Sequence, residues 1–240
     1  MTKILALDTS TAWCSVALSI DDQPNLYRHD KVGSASSQVL LPWIDELLSE
    51  SHCSLDLLDA IAVGVGPGAF TGVRMAIAVT QGLATAAKLP VIAVASLDAV
   101  AAQLVLTKKF AASGAKNFVI ALDARMNEVY WASYQYSGTG LPMRMTDIAL
   151  SSPELVDLAG AQFVAGSAIA EFGEKLLSSM ANHTDNDLDS DISIHAEGIL
   201  LCAHQQWAHG LQQDVHLLEP LYIRNKVALT TAEREKLGHV

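Results

Sequence analysis

Cysteine is scarce in this 240-residue chain. Cys14, Cys53 and Cys202 are odd in number, far apart, and include no C-x-x-C pair. That argues against both a disulfide framework and a zinc ribbon. Long apolar runs are missing too, and none approaches the roughly 20 residues that a membrane span needs. The apolar run at the N-terminus is too short for a signal peptide and ends at Asp8. A cytoplasmic location without membrane attachment is expected. The histidines form no ligand set. His204 and His209 stand five apart, off the i, i+4 spacing that puts two ligands on one helix face, and His52-Cys53 is isolated. No metal site is expected. No G-x-S-x-G elbow exists, so no serine triad can be argued. Basic residues are outnumbered, 15 Lys and Arg against 26 Asp and Glu, for a net charge of -11. Such a surface repels phosphate backbones, so any RNA would have to be held by a partner.

What is present is apolar and glycine-punctuated. Half of the residues are hydrophobic, enough to core one large domain or two small ones. The most informative stretch is V-G-V-G-P-G-A-F-T-G-V-R at 63–74. It follows an apolar run, Ala60 to Val65, that reads as a buried strand, and it precedes a proline-free segment at 71–89. A strand passing through a glycine turn into a helix offers free backbone N–H groups to an anion. Equally, the glycines can serve only to make a tight turn. The spacing is neither that of a P-loop, since no Gly-Lys-Ser/Thr follows, nor the dinucleotide G-x-G-x-x-G.

Along the chain, strands are expected at 4–7, 13–20 and 25–30, then a helix at 34–51 with Leu40, Ile44, Leu47 and Leu48 at helical spacing. Val39 and Trp43 widen that apolar stripe, and Pro42 sits within the first two turns. A short helix starts at Ser54. The helix at 71–89 is apolar nearly all round, which requires burial on more than one side. One side can pack on a sheet. The small residues of the other would admit a second helix, from this domain or from another chain. A strand at 91–94 and a helix from Ser96 follow. Residues 107–116 read as a surface linker and a domain boundary. Strands are then expected at 118–122, 128–136, 144–150 and 163–165, a helix from Pro153, an acidic loop at 182–191, a helix at 196–211, and a returning strand near Leu221.

The two halves repeat a strand–Asp-turn–strand unit: Leu7-Asp8-Thr9-Ser10 and Leu122-Asp123-Ala124-Arg125. Duplicated units of this kind suggest a nucleotide cleft between two lobes, with Asp8 facing Asp123 and with Thr9, Ser10 and backbone N–H groups on phosphates. The plainer alternative is that both aspartates cap turns after strands.

Several blocks together resemble one family. They are I-L-A-L-D-T-S-T at 4–11, G-P-G-A-F-T-G-V-R at 66–74, G-L-A at 82–84, P-V-I-A-V-A-S-L-D-A at 90–99, D-A-R-M-N-E-V-Y at 123–130 and P-L-Y-I-R-N at 220–225. They look like the TsaB (YeaZ) family of tRNA threonylcarbamoyladenosine biosynthesis. The resemblance covers most of the chain and is strongest over 1–100. It implies an α/β, two-lobed actin-like (Hsp70-like) ATPase fold, with duplicated mixed sheets flanked by helices. The lobes are expected at 1–106 plus about 212–228, and at 107–211. It implies a non-catalytic subunit that pairs with its paralogue TsaD, which carries the active site, and works with TsaE. Together these transfer threonylcarbamoyl to N6 of adenosine 37 in ANN-decoding tRNAs. Pairing in the family uses the first-lobe helices. Here that implies Val39, Trp43, Arg74, Met75, Ala76, Val79, Gly82, Leu83 and Ala86 as interface; a homodimer of the chain alone is a further expectation, its geometry left open. RNA is reached only through the complex. No cofactor is required by this chain, while ATP and metal belong to its partners.

The departures from the paralogue support that division. The H-x-x-x-H metal motif of TsaD-type proteins has no counterpart at Ser96–Leu106, which lacks histidine. The paralogue's Gly-Gly adenosine motif is reduced to Gly166-Ser167-Ala168. What remains is a degenerate cleft of Asp8, Thr9, Ser10, Asp123, Gly166 and Ser167. Proteolysis, once attached to this family, is rejected with the missing motif. The competing reading is an autonomous small-molecule kinase of the same fold, using Asp8 and Asp123 around Mg-ATP.

Overall fold

A computed structural model describes residues 2–180 and 183–224. The chain opens with three antiparallel strands, β1 (Lys3–Asp8), β2 (Trp13–Ile20) and β3 (Leu26–Lys31), then α1 (Ser36–Glu50), β4 (Ala60–Gly64), α2 (Phe70–Ala87), β5 (Val91–Val94) and α3 (Ser96–Leu104). A short α4 (Lys108–Ser113) leads to β6 (Asn117–Asp123), β7 (Val129–Gln135), β8 (Met143–Arg144), β9 (Ala149–Ser151) and β10 (Phe163–Ala165). Then come α5 (Ala168–Phe172), α6 (Glu174–Leu177), β11 (Leu188–Asp189) and α7 (Ala196–Ala208).

The strands form two sheets with one topology. The first runs β3-β2-β1-β4-β5, and the second β11-β10-β6-β7-β8 with β9 also on β7. In each, an antiparallel hairpin (β1–β2, β6–β7) is extended by two parallel strands (β4 and β5, β10 and β11). Alternation along the strands sends side chains to opposite faces. Leu5, Leu7, Ile61 and Val63 meet α1 and α2 on one face of the first sheet. Ile4, Ala6, Ala60 and Ala62 meet α3 and α7 on the other. That same core continues into Phe118, Ile120 and Phe163 of the second sheet, whose far face, through Val119 and Val164, packs on α5 and α6.

Although α7 falls within residues 107–211, it lies on the first sheet. The alternation expected for β2 leaves Ser15 and Ser19 with the face α7 covers. The Ser15 hydroxyl accepts from Ala196 N at 2.8 Å, and His204 Nε2 lies 3.0 Å from Ser19 Oγ. His195 caps the helix, its Nδ1 accepting from Glu197 N at 3.1 Å. It sits in a stack with His29 (4.1 Å between centroids) and Trp13 (4.5 Å from His29). Burial, then the neighbouring His29, pushes His195 down to about 4.

The surface linker expected at 107–116 is instead ordered. Thr107 Oγ1 accepts from Phe110 N at 3.2 Å and caps α4, and Phe110 packs edge-on to Phe118 and Phe163. The helix expected from Pro153 is a single turn, Pro153–Leu155, and the strand at 144–150 is split into β8 and β9. The end of the tail, Asn225 to Val240, and the start of the acidic loop lie outside the described residues.

Candidate functional site

The two aspartate turns face the space between the lobes, and each is built by the same local bond. Asp8 Oδ1 accepts from Ser10 N at 2.8 Å, and Asp123 Oδ1 accepts from Arg125 N at 2.8 Å. Around that shared bond the two differ. Asp8 is 1% exposed, and its Oδ2 is buried without a hydrogen-bond partner. Desolvation pushes its carboxyl up to about 6, against the Ser10 bonds that pull it down. The hydroxyls beside it are spent within the protein: Thr9 Oγ1 donates to Gly72 O at 2.7 Å and Ser10 Oγ to Asp8 Oδ1 at 2.9 Å.

The glycine segment explains this closeness. Ala69 N donates to Ser10 O at 2.7 Å. A methyl group on Gly72 would collide with the Thr9 carbonyl, one on Gly68 with Ser10, and one on Gly64 with the Asp8 carboxylate. The glycines thus let the α2 N-terminus seat directly on the β1–β2 turn. Of the two readings open for this segment, close packing is the one the geometry meets.

In the second turn, Asp123 Oδ2 pairs with Arg125 at 3.1 Å, and Asp123 N donates to Ser167 Oγ at 3.1 Å. Gly166 holds φ at +121° where a methyl would strike the Ala121 carbonyl. The turn's tip, Arg125-Met126-Asn127, has three successive residues in the left-handed region (φ 61°, 56° and 58°). Asp123, Ser167 and Ser10 line one interlobe cavity of about 590 Å³, whereas Asp8, Thr9 and Gly166 are not among its lining residues.

Sequence reasoning missed the segment that closes this cavity. Residues 218–224 are not the expected strand but a strap across both lobes. Gln81 Nε2 donates to Leu218 O at 3.2 Å, and Leu221 N to Val65 O at 2.8 Å. Arg74 Nε and Nη2 donate to the Tyr222 hydroxyl at 3.0 and 2.8 Å. On the second lobe, Arg224 Nη2 donates to Ala124 O at 2.9 Å and pairs with Glu128 at 2.7 Å. The available signal was the P-L-Y-I-R-N block, whose arginine has no hydrophobic period to place it.

The helices expected at an interface are α1 and α2. Arg74, Gly82 and Ala86 are exposed, and Val39, Trp43, Met75, Val79 and Leu83 are half-buried. Ala76 is fully buried and is corrected: with Val73, Ile77, Thr80 and Ala84 it forms the stripe that packs on the first sheet. The exposed residue of that turn is Ala78. Burial on two sides, expected for so apolar a helix, is met on one side only. Ala78, Gly82, Thr85 and Ala86 face outward, uncovered by the described residues.

A family model described as "TsaD: tRNA N6-adenosine threonylcarbamoyltransferase" matches residues 30–215. The tRNA threonylcarbamoyladenosine biosynthesis protein TsaB of Escherichia coli is 36% identical over 228 residues, covering 94% of this chain and 96% of that protein. The chain belongs to the TsaB family. The Haemophilus influenzae TsaB is 45% identical over 135 residues, 54% of this chain and 52% of its own. A Pseudomonas aeruginosa crystal structure described as similar to peptidase YeaZ superposes with a TM-score of 0.81. It is 38% identical and covers 93% of this chain and 100% of that one.

The duplicated sheets are the two-lobed actin-like ATPase fold of the TsaB family. Whether this chain suits the Mg-nucleotide implied by that fold can be judged at the β1–β2 turn. The Thr9 and Ser10 hydroxyls are already bonded, Asp8 is walled off behind Gly64, and α2 fills the space above. These residues do not fit a phosphate tail with its metal.

Proposed function

We propose that this TsaB-family chain acts in tRNA threonylcarbamoyladenosine formation as a non-catalytic partner subunit. It docks on TsaD through α1 and α2 and works with TsaE. TsaD carries the chemistry, and tRNA is reached only through the complex. The chain needs no cofactor of its own, works in the cytoplasm, and pairs with itself through the same face when alone. The carrying observation is the outer face of α2, where Ala78, Gly82 and Ala86 present small side chains uncovered by the described residues. Small residues allow close helix approach, and burying a charge there without a partner is costly. The self-filled β1–β2 turn supports the absence of catalysis by this chain.

The test is in vitro threonylcarbamoylation with TsaD and TsaE, with and without this chain, supplied with threonine, bicarbonate, ATP and the adenylate-forming enzyme. Modification should require the chain, while the chain alone turns over no ATP. Gly82→Glu is the informative variant, because nothing lies within 4 Å of the added Cβ. It should leave the monomer folded and abolish sedimentation with TsaD and modification together. Unaltered association would remove this face from the interface, and ATP turnover by the chain alone would restore the kinase reading.

A further inference from the structure

The interlobe cavity has contents to explain once a phosphate tail is turned away from the β1–β2 turn. Its volume of about 590 Å³ is that of a small-molecule site. Trp13, Leu122, Tyr130 and Ile194 give it flat apolar walls. Its charge runs against the rest of the molecule. Lys31, Arg74, Arg125 and Arg224 line it with Asp123, so four of 15 basic residues meet one of 26 acidic ones.

Two of those cations are neutralised locally, Arg125 by Asp123 and Arg224 by Glu128. Arg74 and Lys31 have no carboxylate partner among the described residues. The Arg74 guanidinium lies 3.7 Å over the Phe70 ring and, among the described residues, donates only to the neutral Tyr222 hydroxyl. Beside it, α2 starts without a side-chain cap, so its positive end adds to the same field. An apolar chamber with two uncompensated cations at its edge matches a ligand with an apolar body and one anionic group.

We propose that this cavity binds a small organic anion with a flat apolar body, of the aromatic carboxylate class, rather than a nucleotide. The ring lies against Trp13 and Tyr130, and the carboxylate turns to Arg74 and Lys31. This assignment goes beyond the docking role and does not rest on it.

The test is calorimetric titration of the full chain with 2-naphthoate, with the neutral 2-naphthylmethanol, and with ADP and magnesium. One naphthoate should bind per chain, about tenfold more tightly than the alcohol, as one charge-assisted contact gives. Lys31→Gln should erase most of that preference and leave alcohol binding unchanged, whereas Arg74→Gln, which also frees Tyr222 of the strap, should erase the preference and weaken both ligands. No saturable naphthoate binding, or equal affinity for the alcohol, overturns the proposal. So does ADP binding more tightly than naphthoate and weakened by Asp123→Asn, which would return the cavity to nucleotide.

Discussion

The β1–β2 and β6–β7 turns begin from the same bond, an aspartate oxygen accepting from the backbone two residues on, and end as different objects. Around Asp8 the glycine segment closes in until the carboxylate is dry and half unpartnered. Around Asp123 the carboxylate stays partly exposed, pairs with an arginine, and lines a cavity. The lesson is that the aspartate motif does not set its own role. What packs over it does, and over Asp8 this is decided by residues more than fifty positions later in the chain.

The largest expected effect comes from prising the first turn open. Gly72→Ala drives a methyl into the Thr9 carbonyl and should cost about 3 kcal/mol or more, read as a lowered urea midpoint. An unchanged midpoint would mean that the turn is not tightly seated. Next is Asp8→Asn. A carboxyl raised from 3.8 to about 6 contributes stability that is full below pH 3.8 and is lost as pH rises through 6. The asparagine keeps the Ser10 bonds without the buried charge. It should therefore exceed the parent by about 2 kcal/mol at pH 7 and match it near pH 4. Comparing variant with parent at each pH cancels His195, whose opposite contribution is lost as pH falls from 6.5 through about 4.

Two smaller effects belong to the second turn. Arg224→Ala frees the strap and unpairs Glu128, whose side chain is 36% exposed, for about 1 kcal/mol. Hydrogen exchange should rise at 124–128 and not at 8–10. Asp123→Asn loses only a surface ion pair and should cost under about 1 kcal/mol. A penalty as large as that of Gly72→Ala would erase the contrast between the turns.

Much of the first lobe was legible because its strands and α1 carry strong periodicity, and the paired Asp-turns showed the duplication. The orientation of α2 was not legible. Ala76 and Ala78 are chemically identical, and a helix of small residues has too little contrast to reveal which one meets the sheet. In the candidate site, Asp123, Ser167 and Ser10 line the cavity, while Asp8, Thr9 and Gly166 are not among its lining residues. That the Thr9 and Ser10 hydroxyls are already engaged depends on Gly72 and Asp8 approaching in space. The strap and α4 are short, and single anchors, Arg224 and Phe110, hold them. The position of α7 rests on pairings such as Ser15 with Ala196, 181 residues apart, which no local pattern contains.

That late return has a cost during synthesis. Ile4, Ala6, Ala60 and Ala62 are made early, but the helix that covers them is finished only at residue 208. Between the end of α3 and the end of α7 the ribosome adds about a hundred residues, roughly 5 to 20 seconds at about 5–20 residues per second. For that interval the nascent first lobe shows an uncovered apolar sheet face, a surface for holding chaperones and a hazard where translation stalls.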